Sequence, residues 1–180
     1  VQAAVRSVLA STFKDFELLV VDDASTDDGP VIVRAIDDPR IRVLESAVNT
    51  GRAAAANRGF DAARGEYVAV LDADDLMHPE RLALQAGFLD GNPGIGACGG
   101  WMRAFGASEN TLKTPGDDAA ARALMLFGVP AFYPTCMFRR SILEEHRLRC
   151  DPNWRIPGMD YLFLIDVGSH ARFANLQQVV

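Results

Sequence analysis

A chain of 180 residues, 49% hydrophobic and 23% charged, is the size of one globular domain that can bury a substantial core. A net charge of −6 and a pI near 5.0 argue against a nucleic-acid partner, which needs a clustered basic face. No apolar run approaches the roughly 20 residues of a membrane-spanning helix, and Cys98, Cys136 and Cys150 are too few and too scattered for a disulfide framework or a zinc site, so a reducing compartment is expected.

Val1, Val5, Val8 and Leu9 share one helical face, which predicts a helix from Val1 to about Ala10. No Met and no strand precede that helix, so the chain reads as a piece of a longer product whose first strand is missing. Phe16 to Val21 is an apolar strand running into the polar loop Asp22 to Gly29. A short helix, Val31 to Ile36, is stopped by Pro39, and Ile41 to Leu44 forms the next strand. Asn49-Thr50-Gly51 is a turn, and the alanine-rich stretch Arg52 to Ala63 favours helix, with Gly65 placed to end it. Tyr67 to Leu71 is a strand, and Pro79 lies near the start of a helix that runs to about Leu89. Further on come a strand from Ile95 to Phe105, a loop from Gly106 to Asp118, and a helix from Asp118 to Phe127 with Asp118 as N-cap. Tyr133 to Phe138 reads as a strand, Arg140 to His146 as a short helix, and Asp160 to Gly168 as a last helix before Arg172 to Leu176. Strands alternating with helices imply βαβ units and a mostly parallel central sheet flanked by helices.

Chemistry concentrates where the strand Tyr67 to Leu71 runs into Asp72-Ala73-Asp74-Asp75. Open α/β sheets bind their ligands at the carboxyl ends of such strands. Two carboxylates one residue apart on extended backbone face the same side, so Asp72 and Asp74 suit a single hard cation, Mg²⁺ or Mn²⁺. Metal-assisted chemistry on a phosphate-bearing substrate is the expectation. The histidines His78, His146 and His170 are isolated and suggest surface or capping roles. Trp154, close to Asp160 in sequence, is a candidate for stacking on a sugar.

The stretches Ser7 to Asp27, Asn49 to Asn57, Gly65 to Asp75 and Pro79 to Leu82, taken in that order, resemble the family 2 inverting glycosyltransferases, whose α/β fold is called GT-A. The resemblance runs along the whole chain. It implies one glycosyltransferase domain over residues 1–180, incomplete at both ends, with a nucleotide-binding half at 1–90 and an acceptor-side half at 91–180. In such enzymes a sugar moves with inversion from a UDP-sugar, or another nucleotide sugar, to a hydroxyl of a glycan or lipid-linked carrier. Asp23 matches the residue that reaches the nucleotide base, where a carboxylate accepts a ring N–H and favours uracil. Arg52 matches positions lining the nucleotide pocket, and a guanidinium there suits a phosphate or a base carbonyl. Asp74 matches the metal ligand of a D-x-D signature, and Asp72 its helper, contacting ribose or reaching the metal through water. Asp75 is expected to cap the following helix, and Asn57 and Arg58 to hold the adjoining loop. In Gly158-Met159-Asp160-Tyr161, Asp160 matches the general base, although Met159 stands where many relatives carry a second acid. Asp166 is a less favoured substitute.

Three rivals stay open on sequence. A phosphatase-like phosphoryl transferase also places D-x-D at a strand end but needs a later lysine, and only Lys113 follows. A sugar-phosphate nucleotidyltransferase shares the general fold, and a catalytically silent sugar-nucleotide-binding domain accommodates Met159. The expected setting is cytoplasmic, in polysaccharide or cell-envelope synthesis, with peripheral contact at the inner face of the membrane where the acceptor is lipid-linked.

Overall fold

A computed structural model describes residues 1–154 and 158–180. Helix α1 (Gln2–Leu9) buries Ala4, Val5 and Val8 along one face. It is followed by β1 (Leu18–Asp22), α2 (Gly29–Arg34), β2 (Ile41–Glu45) and α3 (Arg52–Ala62). Gly51 opens α3 at φ 92°, a left-handed conformation that a side chain would strain. Next come β3 (Tyr67–Ala69), α4 (Arg81–Gly91), β4 (Ile95–Arg103), β5 (Thr111–Leu112) and α5 (Asp118–Leu124). The chain then makes a 3₁₀ turn at Tyr133–Thr135 and finishes with β6 (Met137–Arg139), α6 (Arg140–Glu145), α7 (Met159–His170) and β7 (Arg172–Val179).

Strands β1 and β2 pair in parallel, from Leu18 opposite Ile41 to Asp22 opposite Glu45. A second sheet runs β3-β6-β4-β5, with β7 alongside β4. Here the expectation of a mostly parallel sheet needs correction. Only β4–β7 is parallel within it, whereas β3–β6, β4–β6 and β4–β5 are antiparallel. The reason is local: β5 returns on β4 as a hairpin, and the Pro134-containing 3₁₀ turn feeds β6 in from the sheet's far end. Because β3 and β4 are both antiparallel to β6, they run in the same direction, and their carboxyl ends open on one face of the molecule.

Two apolar clusters fix this arrangement. One gathers Phe60 of α3, Phe138 of β6, Phe163, Leu164 and Val167 of α7, and Phe173 of β7, with Phe163 stacked on Phe60 at 5.4 Å. The other gathers Val8, Met77, Leu82, Leu89, Cys98 and Met137. Both draw residues from either side of position 90, so the proposed halves share their cores.

Several boundaries differ from the sequence expectation for identifiable reasons. The N-cap of α5 is Asp117, whose carboxylate accepts from Ala120 N at 2.9 Å, and Asp118 lies inside the helix, bonded to Arg122 and to Phe173 N. Pro134 turns the first half of the expected strand Tyr133 to Phe138 into a 3₁₀ turn. The expected loop from Gly106 carries the two-residue strand β5.

Candidate active site

Strand β3 ends at Ala69, and Val70 N–H donates to Cys136 O at 2.9 Å before the chain leaves the sheet. Asp72 to Asp75 then form a turn closed by Asp75 N to Asp72 O at 3.1 Å. Asp72 and Asp74 therefore do not share one side of an extended strand, as their spacing suggested. Asp72 is half-buried and Asp74 exposed. Asp75 caps nothing either, because α4 starts only at Arg81. The intervening residues 76–80 are committed to α1 instead: Met77 N–H donates to Ser7 Oγ at 3.0 Å, and Pro79 O accepts from Thr12 N at 2.9 Å and from Ser11 Oγ at 3.2 Å.

Burial raises the pKa of Asp72 above the ordinary carboxylate value, Arg52 opposes the rise, and the charges of Asp75, Asp74 and Asp160 add to it. Asp75 is raised in the same way, by burial and by Asp74. The charges of Asp74, Asp75 and Asp160 thus all act on Asp72. Arg52, in the first turn of α3, is the counter-charge of Asp72, with its Nη2 3.7 Å from Asp72 Oδ2 and 76% of its side chain exposed, whereas buried Arg81 opposes the rise at Asp75. An exposed pair at that separation contributes little.

Asp160 sits in the first turn of α7, behind Gly158, which is left-handed at φ 102°. Its position follows from how α7 is held. Phe163, Leu164 and Val167 bury one face of the helix, Tyr161 Oη donates to Met125 O at 2.5 Å, and Arg122 caps the far end through Gly168 O and Ala171 O. From the first turn of this helix the charge of Asp160 is felt at Asp72, Cys136 and Cys150. Met159 packs against the core. Asp166 lies exposed on the helix body, well along from that end.

Asp23 follows β1 and is fully engaged. Its Oδ1 accepts from Thr50 N at 2.9 Å and Thr50 Oγ1 at 2.7 Å, and its Oδ2 from Thr50 N at 3.0 Å and Gly51 N at 2.7 Å. Although burial alone would raise it, these donors hold its pKa below the ordinary carboxylate value. The carboxylate ties the turn before α3 to the end of β1, so a base N–H would reach it only by displacing one of these bonds. Asp22 likewise serves its own turn, accepting from Ser25 N at 3.1 Å. Asn57 exchanges two hydrogen bonds of 2.8 Å with the backbone of Cys150, and Arg58 holds Glu45 O and Ser46 Oγ. Both are structural.

The fold thus pairs Arg52 with Asp72, holds Asp72, Asp74 and Asp75 in one turn where Asp72 also feels Asp160, and commits Asp23 to the turn before α3. Sequence reasoning missed Thr50, the partner of Asp23, and the buried pair Arg81 and Gln85 under the carboxylate turn. The second omission had a signal, two long polar residues four apart on the otherwise apolar face of α4 that carries Leu82, Ala86 and Leu89.

Among the described residues no group of three or more His, Cys, Asp and Glu side chains forms a metal cage by itself. The donor set still fits a hard divalent ion of the Mg²⁺ type, which is held by one or two carboxylates and completed by phosphate oxygens. Asp72, half-buried, and Asp74, exposed in the same turn, offer two such carboxylates.

A sequence profile described as glycosyl transferase family 2 matches residues 1–147. The chain belongs to this family. The succinoglycan biosynthesis protein ExoO of Rhizobium meliloti (strain 1021) is 36% identical over 177 residues, covering 89% of this chain and 49% of ExoO. The S. aureus TarS 1–349 structure in complex with UDP-GlcNAc superposes with a TM-score of 0.83 at 22% identity, over 97% of this chain and 51% of that one. A mannosyltransferase from Pyrobaculum calidifontis, PcManGT, in complex with GDP-Man and Mn²⁺ gives a TM-score of 0.73 at 22% identity, over 98% of this chain and 50% of that one. The fold is therefore the GT-A type that the sequence implied, and the glycosyltransferase family domain here spans about half the length of these relatives. Among the described residues no helix is long and apolar enough to cross a membrane.

Proposed function

We propose that this family 2 domain transfers a sugar, with inversion, from a UDP-sugar or related nucleotide sugar to a hydroxyl of a glycan or lipid-linked acceptor. The observation that carries the proposal is the turn of Asp72, Asp74 and Asp75 after β3, in which half-buried Asp72 lies 3.7 Å from exposed Arg52 and feels the charge of Asp160. Such a site attracts a divalent cation and, through it, a diphosphate. Asp74, exposed at the tip of the turn, would hold the ion, and Asp72 would complete its shell or contact the ribose. A bound Mn²⁺ or Mg²⁺ would neutralise the charge that gathers on the departing nucleoside diphosphate. Arg52 swings from Asp72 towards a phosphate, and Asp23 keeps the 49–51 turn in place as a wall of the nucleotide pocket.

In the transfer, the acceptor oxygen forms its bond to the anomeric carbon from the face opposite the diphosphate. The carbon–oxygen bond to the diphosphate breaks, its electron pair leaving on the phosphate oxygen. Asp160 takes the hydroxyl proton as general base. From the first turn of α7, on the 91–180 side, it would meet an acceptor arriving from that side. Where the acceptor is lipid-linked, the domain would work at the cytoplasmic surface of the membrane. Calorimetric titration with UDP, with and without Mn²⁺, tests the reading: binding that strengthens with Mn²⁺ is expected, and no binding in either condition would overturn it.

A further inference from the structure

Arg81 is 1% exposed and Gln85, one turn further along α4, is 0% exposed. A guanidinium shut away from water is retained only where good acceptors surround it, and an apolar side chain of similar volume would fill the same space without that desolvation. Burial lowers the pKa of Arg81 to about 10, so it carries its charge at neutral pH. The acceptors it meets are neutral amide oxygens. Nε donates to Gln85 Oε1 at 2.9 Å, Nη1 to Pro134 O at 2.9 Å, and Nη2 to both Val70 O at 2.8 Å and Cys136 O at 3.1 Å. Gln85 completes the set, its amide donating to Thr135 O at 2.8 Å and Cys98 O at 3.3 Å.

The sequence positions of these partners give the arrangement a purpose. Val70 is the last residue tied to the sheet before Asp72, and Arg81 is the first residue of the helix after the carboxylate turn. The bond from Arg81 Nη2 to Val70 O therefore closes the loop of residues 71–80 at its base. The same fork holds the turn before β6, which lies against the other side of that base.

We infer that Arg81 is a positioning residue, whose planar fork, oriented by Gln85, fixes the loop that presents Asp72 and Asp74. The link to donor binding rests on the transferase reading above, whereas the link to the loop does not. A lysine would keep the charge but lose the fixed fork. Arg139 provides a matched control, because it also holds three backbone carbonyls, Ile95 O, Leu89 O and Asn92 O, at the opposite end of the sheet.

The test compares hydrogen exchange of residues 71–80 in the wild type, Arg81→Lys, Gln85→Met and Arg139→Lys, together with Mn²⁺-dependent UDP affinity. In Arg81→Lys, exchange of 71–80 is expected to quicken at least tenfold, and UDP affinity with Mn²⁺ to fall at least tenfold. Gln85→Met should show the same pattern more weakly, and it decides the matter if Arg81→Lys does not fold. Arg139→Lys should lower the melting temperature while changing both readouts less than twofold. Unchanged exchange of 71–80 in folded Arg81→Lys and Gln85→Met, or equal quickening in Arg139→Lys, would overturn the inference. Failure of the wild type to bind UDP would instead overturn the transferase reading, and the exchange data would still decide the role of Arg81.

Discussion

Two polar groups lie on either side of the backbone at the end of β3, and they are built on opposite terms. Beneath it, Arg81 and Gln85 are sealed from water and donate six hydrogen bonds, one between themselves and five to backbone carbonyls. Above it, Asp72, Asp74 and Asp75 share one turn, where Asp72 feels the charge of Asp160 and is loosely paired with Arg52. The lower group is satisfied by the fold alone. On the proposed function, the upper one is completed by a divalent ion and a diphosphate. That difference separates what makes the chain fold from what the chain is for, within a few residues of a single strand.

Substitutions that attack the two groups should therefore fail in different assays. Asp160→Asn should cut turnover by about 10²–10⁴-fold while leaving UDP affinity within about twofold, since it removes a proton acceptor and not a donor contact. Steady-state kinetics beside calorimetry separates the two, and unchanged turnover would move the base elsewhere. Gln85→Met should cost about 2–3 kcal/mol in chemical denaturation, because Thr135 O, Cys98 O and Arg81 Nε all lose a buried partner. Asp74→Asn should weaken the Mn²⁺-dependent part of UDP binding by at least about tenfold and leave the metal-free part alone. The smallest effect is the most telling about sign. Asp72 has a raised pKa in the folded chain, so its ionisation costs stability as pH climbs from the unfolded value of about 4 through the folded one. Asp72→Asn should accordingly melt about 1–3 °C higher than the wild type at neutral pH, with the gap closing in acid. Asp23 has a lowered pKa, and its contribution is present above the unfolded value and lost as pH falls through the folded one. Asp23→Asn should thus be less stable at neutral pH, again with the gap closing in acid.

The contrast also explains what could be read from the sequence. Helix α3 and strands β1 and β2 were legible because alanine content, apolar runs and turn residues act locally. The pair Asp72 and Asp74 at a strand end was readable from residue type and spacing, whereas Asp23 and Asp160 stood out only through the resemblance to family 2 glycosyltransferases. What was hidden depended on distant partners. Residues 76–80 look like the start of a helix until Ser7, Ser11 and Thr12 claim them. Asp23 reads as a ligand contact until Thr50 fills its carboxylate. The direction of β6 is set by pairing between segments some 40 to 70 residues apart, which periodicity alone does not report.

The two bonds between Asn57 and the backbone of Cys150 join positions 93 apart, copying with one side chain the exchange that a strand pair makes. A contact of that span repays its loop-closure entropy only after most of the chain is already in place. The bonds therefore lie late in folding, and they fasten the start of the segment leading into α7. A nascent chain would have its parallel β1–β2 pair assembled well before Asp160 reached its station.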